Sequence, residues 1–483
     1  MIPQTYVAFG MTVVFMLSYI NHKNVRIITY GRGGDGGGRG LKLYFICFLL
    51  FFMPKVSFVS ISSLTSTGLR YDDFFVLYIF VSLLSRKTIN KRIKHGIMTM
   101  IILAGLNIIA MLFHTHKVQL FFSILSIIRK FEYFSLIFAG YYLRKGIKDF
   151  DNLFHSTFSL LHTLLMVIAI MQLTGLTSYV NRGVDVGVFG DASTVFATFN
   201  GYYEYGQFLI IGYVYYLLRW ISRGYKLKDF RMVILTVTFI LLTRSRSSLM
   251  WGVLITLLIV LFSRRVKPLY KIMLLGSIVT GAAVFITLGV AESDIFSRFR
   301  TVDIVEMTET LSQYIKSGDF DAYIEGNRIK NFFGMDLSAA QRFSKWGIAL
   351  NGLMKYPLLG YGYGIAPVVM DGNYVRIFGE LGIIGGLLWL SLYFGYIRYF
   401  FRNSGISLRA ESAAWMMTAV AFGAIFIDML EASKIMEFIW FYAGIAIYDI
   451  HEKRLQLLKG IPHMCVRHTG GLRVLRVCQV KCV

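Results

Sequence analysis

The sequence predicts an all-α, polytopic integral membrane protein with about thirteen transmembrane helices (twelve to fourteen). Three observations predict it. Of the 483 residues, 56 % are hydrophobic and only 16 % charged, whereas about a quarter of a soluble domain is charged. The apolar residues come in blocks of about twenty, enough to cross ~30 Å of hydrocarbon at ~1.5 Å per residue. Threaded alternately, those blocks leave the basic segments on one side. A β-barrel would alternate apolar and polar residues over ~10-residue strands, and the sequence has no such alternation.

Spans are expected near 3–20, 43–62, 71–85, 96–113, 118–142, 155–175, 203–219, 232–243, 247–263, 272–290, 376–399, 412–430 and 436–449. The segments NHKNVRIITYGRGGDGGGRGLK, RKTINKRIKH, RKGIKD, RWISRGYKLKDFR, SRRVKPLYK, RYFFRNSGISLR and the C-terminal tail then share a side. They hold roughly two-thirds of all Lys and Arg, the positive-inside pattern. The net charge of +23 is thereby assigned to topology and anionic headgroups, and nucleic acid is not an expected partner. The N-terminus is expected outside and the C-terminus in the cytosol. Residues 1–458 read as one membrane domain, and 459–483 as a basic cytosolic tail that is a candidate disordered segment. The first apolar segment lacks a basic start and reads as a retained span.

The four cysteines make no disulfide framework. Cys47 falls in a span, while Cys465, Cys478 and Cys482 fall in the cytosolic tail, where thiols stay reduced. Cys478 and Cys482 alone do not make a zinc site. GRGGDG (31–36) has no strand before it and no βαβ unit around it, so it is not a dinucleotide loop. GYGYG (360–364) is similar to a potassium filter but stands in a long outward loop. No metal, nucleotide or other cofactor is expected.

Two outward loops are long, about 175–206 and 291–375, and loops over ~15 residues are usually functional or disordered. The second is expected to be ordered, with short helices lying on the membrane surface. Outward Arg182, Arg244, Arg246, Arg298, Arg300, Arg328, Arg342 and Arg376 run against the positive-inside bias and point to an anionic guest. In LLTRSRSSLMWG (241–252), Arg244 and Arg246 either snorkel to headgroups or clamp a phosphate with their planar forks of donors. In DGNYVRIFGELGIIGG (371–386), Arg376 and Glu380 are four apart and face each other on a helix, so an internal ion pair competes with a ligand role. Asp371 either caps that helix or acts as a base.

QRFSKWGIALNGLMKYPLLGYGYG, followed after a gap by DGNYVRIFGELGIIGG, resembles the signature of the bacterial O-antigen polymerase and O-antigen ligase superfamily. That signature runs Arg, a Trp-containing amphipathic helix, Pro-Leu-Leu-Gly-x-Gly-x-Gly, then an Asp- or His-led segment ending Glu-x-Gly-x-x-Gly. RYDDFFVLYIF, FATFNGYYEYGQFLII and TRSRSSLMWGVLI resemble its further segments in order, so the likeness touches residues from about 70 to 390. It implies a GT-C-like membrane glycosyltransferase acting outside the cytoplasmic membrane on undecaprenyl-diphosphate-linked glycans, with arginines holding the diphosphate and no metal. Carried onto matching positions, it points to Arg246 and Arg342, then to Arg182 and Arg376. Ligases of the superfamily carry a histidine at the head of the last motif. Here Asp371 stands there, followed by Gly372 where Asn is common, and the outward histidines are His114 and His116. That departure favours a polymerase.

The expectation is a bacterial inner-membrane enzyme, its site facing the periplasm or exterior, that polymerises lipid-linked oligosaccharide repeats into O-antigen, capsular or exopolysaccharide. Arg246 and Arg342 would neutralise the diphosphate leaving group, with Arg182, Arg244 and Arg376 as further contacts. Asp371 would orient or deprotonate the acceptor, and Tyr363 and Tyr374 would line the sugar path. Expected partners are the lipid-linked substrates, the membrane, a chain-length regulator and a flippase. The alternatives are a ligase moving finished glycan to another acceptor, and a flippase or transporter of lipid-linked sugars.

Overall fold

The computed structural model describes residues 43, 46–53, 57–62, 65–70, 73, 90–113, 120–147, 149–176, 195–199, 201–272, 276, 346–347, 349–363 and 372–459. Among them stand nine α-helices: α1 Lys91–Phe113, α2 Leu120–Gly146, α3 Phe150–Leu173, α4 Tyr202–Ser222, α5 Leu227–Leu242, α6 Arg246–Phe262, α7 Asn373–Arg402, α8 Leu408–Gly423 and α9 Ser433–Lys459. Each overlaps one expected span. Three of them, α1, α3 and α7, are long and apolar enough to cross a membrane, and α6 is apolar but shorter. Expected spans 3–20, 71–85 and 272–290 lie almost wholly outside the described residues, as does the tail beyond 459.

Three expectations are corrected. The span at 43–62 stops early: Cys47–Phe52 is a short π-helix, Met53 is extended, and Ser57–Ser62 (β1) pairs antiparallel with Thr65–Arg70 (β2). Pro54 accounts for the break, since proline lacks an N–H and pushes the residue before it out of the helical region. The Ser-, Thr- and Val-containing segments beyond it suit a pleated ribbon. Among the described residues the fold is helical, with this one short β-ribbon beside the helices. The span expected at 412–430 ends at Gly423, and Ala424–Ala432 turn back toward α9. The span expected at 376–399 is interrupted, because Gly382 (φ 64°, ψ −171°) leaves the helical region inside α7.

The helix ends that the sequence assigns to the cytosol meet at one end of the bundle. Arg144 on α2 pairs with Asp449 and Glu452 on α9, and Arg409 on α8 pairs with Asp449 and with Asp151 on α3. Arg265 after α6 binds Glu411 on α8 and the Ser404 carbonyl, and Arg219 on α4 pairs with Asp229 on α5. Between the two ends the helices bury aromatic layers such as Phe158, Phe208, Phe438 and Tyr442. They expose Met98, Ile101, Ile108, Val237, Val253 and Leu387 outward, as a lipid-facing belt requires. α2 and α9 run in contact because glycines let their backbones meet: a Cβ on Gly140 would fall on the Phe441 carbonyl, and one on Gly444 on the Ile137 carbonyl.

Candidate functional site

At the opposite end, the site forms where α7 breaks. A broken helix frees backbone donors and acceptors, and at membrane depth these need protein partners. The PLLGYGYG segment supplies them. Ile383 N–H donates to the Pro357 carbonyl (2.8 Å) and Ile384 N–H to that of Leu358 (3.2 Å). In return, Tyr361 and Gly362 N–H donate to the carbonyls of Gly379 (3.2 Å) and Glu380 (2.7 Å). The approach is close enough that a Cβ on Gly360 (φ 67°) would lie 2.5 Å from Glu380 O and Gly382 N. The glycines of the two motif halves thus answer one another: each removes a side chain so that two backbones can pair. The amides of Tyr361 and Gly362 are consumed in that pairing.

Tyr363 closes the segment between α1 and α2. Its N–H donates to Asn107 Oδ1 (3.2 Å), its carbonyl accepts the Ser123 hydroxyl, and Lys130 Nζ stands 5.5 Å from its ring centroid. The Tyr363 ring is buried, which pushes its phenol above the ordinary range.

The start of α7 is fastened to the α8–α9 turn. Asn373 N–H donates to the Ala424 carbonyl (2.9 Å), its Oδ1 accepts Leu430 N–H (2.8 Å) and its Nδ2 donates to Asp428 (3.2 Å). The Tyr374 hydroxyl donates to the Ala421 carbonyl (2.7 Å). Arg376 donates to Glu380 (3.2 Å) and Asp428 (3.4 Å), and Lys130 pairs with Glu431. Five ionisable side chains, Lys130, Arg376, Glu380, Asp428 and Glu431, therefore gather here. A cation at mid-bilayer costs ~2.5–3.5 kcal/mol even on a forgiving scale, and such residues are paired and usually functional.

The N-terminus of α6 reaches the same end. Trp251 stacks on Phe422 (5.5 Å) and Phe426 (6.1 Å), which flank the Ala424 carbonyl that receives Asn373. Ser245 caps α6: its hydroxyl accepts Ser248 N–H (3.3 Å) and the Ser248 hydroxyl (2.8 Å). Arg244 precedes it, exposed and left-handed (φ 50°), a strained conformation for a non-glycine residue. Residues 195–199, before α4, are pinned between α3 and α9. Gln172 accepts from Phe196 and Ala197 N–H, and Lys434 donates to the Thr198 carbonyl and hydroxyl (both 2.7 Å).

Of the residues predicted from sequence, Arg182, Arg342 and Asp371 lie outside the described residues, as does the side chain of Arg246, whose backbone opens α6. Gly372, which follows Asp371 in the sequence, packs against the indole of Trp346. Arg376 is present as the internal ion pair, shared with a second carboxylate. Tyr363 is enclosed by α1 and α2, and Tyr374 is half-buried with its hydroxyl donating to backbone.

Lys130, Asp428 and Glu431 were not singled out by the sequence reading, which weighed outward arginines. The signal was there: Lys130 interrupts the apolar run FFSILSIIRKFEYFSLIF inside a span. No family model and no curated protein matches the chain. The superfamily resemblance rests on the quoted segments.

Proposed function

We propose that the chain is an outward-facing membrane glycosyltransferase that polymerises lipid-diphosphate-linked oligosaccharide repeats. One observation carries the reading. PLLGYGYG and GELGIIGG interlock through their backbones, and the RSRSS helix start arrives at the same end of the bundle. That shared end supports reading Arg244, Arg246, Arg342 and Asp371, which flank these segments in sequence, as parts of one outward site.

In this reading an acceptor hydroxyl on one lipid-linked repeat attacks the anomeric carbon of the growing glycan, and the bond to the lipid diphosphate breaks. Arg246 and Arg342, helped by Arg182 and Arg244, hold the departing diphosphate through charge-assisted hydrogen bonds. Asp371 orients the acceptor and takes its proton. Arg376 serves as the strut joining α7 to Asp428, its charge already shared. Among the described residues, three buried donors in the first turns of α4 and α6, Tyr205 Oη, Gln207 Nε2 and Trp251 Nε1, have no hydrogen-bond partner. An unpaired buried donor costs ~1–3 kcal/mol, so they favour a polar guest at this end.

The break at Gly382 favours a second reading, a transporter, since interrupted helices line transport sites near mid-membrane. Depth argues against it. Lys130 is fourteen residues from Arg144 along α2, and Ser433 sixteen from Asp449 along α9, or ~21–24 Å at ~1.5 Å per residue. In a ~30 Å core that puts the charge cluster less than ~10 Å below the outer boundary.

The test is Arg246→Ala and Arg342→Ala, each expressed at wild-type level in the membrane. Both are expected to leave single repeats in place of a glycan ladder. A normal ladder from either variant removes that arginine from the site, and long lipid-linked chains in a strain lacking the protein would mark a ligase instead.

A further inference from the structure

Lys130 has no part in the chemistry described above, yet it is the cation set deepest among the apolar residues of α2. Its side chain is 9 % exposed, paired with Glu431, whose side chain is 23 % exposed. Its Nζ also faces the Tyr363 ring at 5.5 Å, the arrangement of a cation–π contact. A helix, a turn and a loop segment meet at this ammonium: α2 carries it, the α8–α9 turn supplies Glu431, and Tyr363 ends the segment that pairs with broken α7. Tyr363 is held on its other sides by Asn107 of α1 and Ser123 of α2. One turn of contacts further, Gly362 N–H donates to the carbonyl of Glu380, the residue that pairs with Arg376.

We propose that Lys130 is a positioning residue for the outward site: through Glu431 and the Tyr363 ring it seats the Tyr356–Tyr363 segment against α7. A methionine of similar length would fill the same space without a desolvated charge. A lysine at this position makes a contact that only a cation makes, to Tyr363 and Glu431. Arginine preserves it, being cationic and able to stack on the ring.

The role in catalysis rests on the polymerase reading; the seating does not, and the experiment separates them. In reconstituted wild type, Lys130→Met and Lys130→Arg, hydrogen–deuterium exchange is followed for the amides of 356–363, and elongation of a purified lipid-linked repeat is measured over a range of repeat concentration. Lys130→Met is expected to speed exchange of Tyr361 and Gly362 at least tenfold. It should lower kcat at least tenfold while KM for the repeat stays within about twofold, because substrate contacts are intact but misaligned. Lys130→Arg is expected to restore both. Tyr363→Leu, which removes the ring but no charge, should reproduce the Lys130→Met exchange pattern if the methionine variant fails to fold. Wild-type exchange in Lys130→Met, or in Tyr363→Leu, overturns the proposal. If wild type elongates nothing while the exchange results hold, the polymerase reading falls and the seat stands.

Discussion

Gly382→Ala is the sharpest perturbation of the paired backbone at the heart of the site. Gly382 occupies a region of backbone space (φ 64°, ψ −171°) that essentially only glycine enters, and an L-residue forced there is strained by ~1–3 kcal/mol. A Cβ would also press on the Leu358 carbonyl and stand 2.5 Å from Gly360 N. Relief requires the two backbones to part, losing at least the Ile383–Pro357 and Gly362–Glu380 hydrogen bonds, each worth ~0.5–1.5 kcal/mol net. The sum is ~2–6 kcal/mol. At ~1.4 kcal/mol per decade, the lower limit raises the undocked population about 25-fold. Trypsin cleavage at exposed Lys355, followed on detergent-solubilised protein, reads that population when reclosing outpaces cleavage. Cleavage of Gly382→Ala should accelerate at least about 25-fold. Gly395→Ala is the control: its Cβ would meet only the Arg92 guanidinium at 3.8 Å, and cleavage should match wild type. A wild-type rate for Gly382→Ala would refute the reasoning.

Other consequences follow from the packing. Gly140→Leu drives a side chain into the Phe441 carbonyl; backbone yields less than side chains, so a loss of ~3 kcal/mol is expected, seen as loss of the wild-type peak on gel filtration. Gly105→Ala, with no neighbour within 4 Å, should instead gain ~0.5–1 kcal/mol and a higher thermal midpoint. At the end of the bundle away from the site, Arg409→Met removes one of the two arginines on Asp449 and leaves Arg144 and Ser407 beside it. It should cost ~1.5–3 kcal/mol, with part of it recovered in the Arg409→Met/Asp449→Asn double variant; equal stabilities for single and double variants would dissolve the pair. Ser245→Ala removes the α6 cap and is expected to cost ~1 kcal/mol, measured as a drop in thermal midpoint with the wild-type gel-filtration peak retained.

Helix positions were legible because hydrophobic burial needs only length and composition, and all nine described helices overlap expected spans. Their ends were less so. Met53–Pro54 ends the second span by a local backbone rule that a block of apolar residues masks. GELGIIGG reads as an ordinary helix start, since hydropathy carries no trace of a glycine with positive φ; only the partner PLLGYGYG, far from helical pairing in sequence, gives the break its reason. The Arg376–Glu380 pair was readable from four-residue spacing. Asp428 and Glu431 join it through a tertiary turn that spacing does not encode, and Lys130 through a helix more than two hundred residues away.

The most direct test of the account is elongation by the purified protein in liposomes containing lipid-diphosphate-linked repeat units, with no nucleotide and no ion gradient. The account predicts a ladder of lengthened lipid-linked glycan and release of the lipid diphosphate, both lost with Arg246→Ala. Movement of the repeat units across the bilayer with their length unchanged would contradict it.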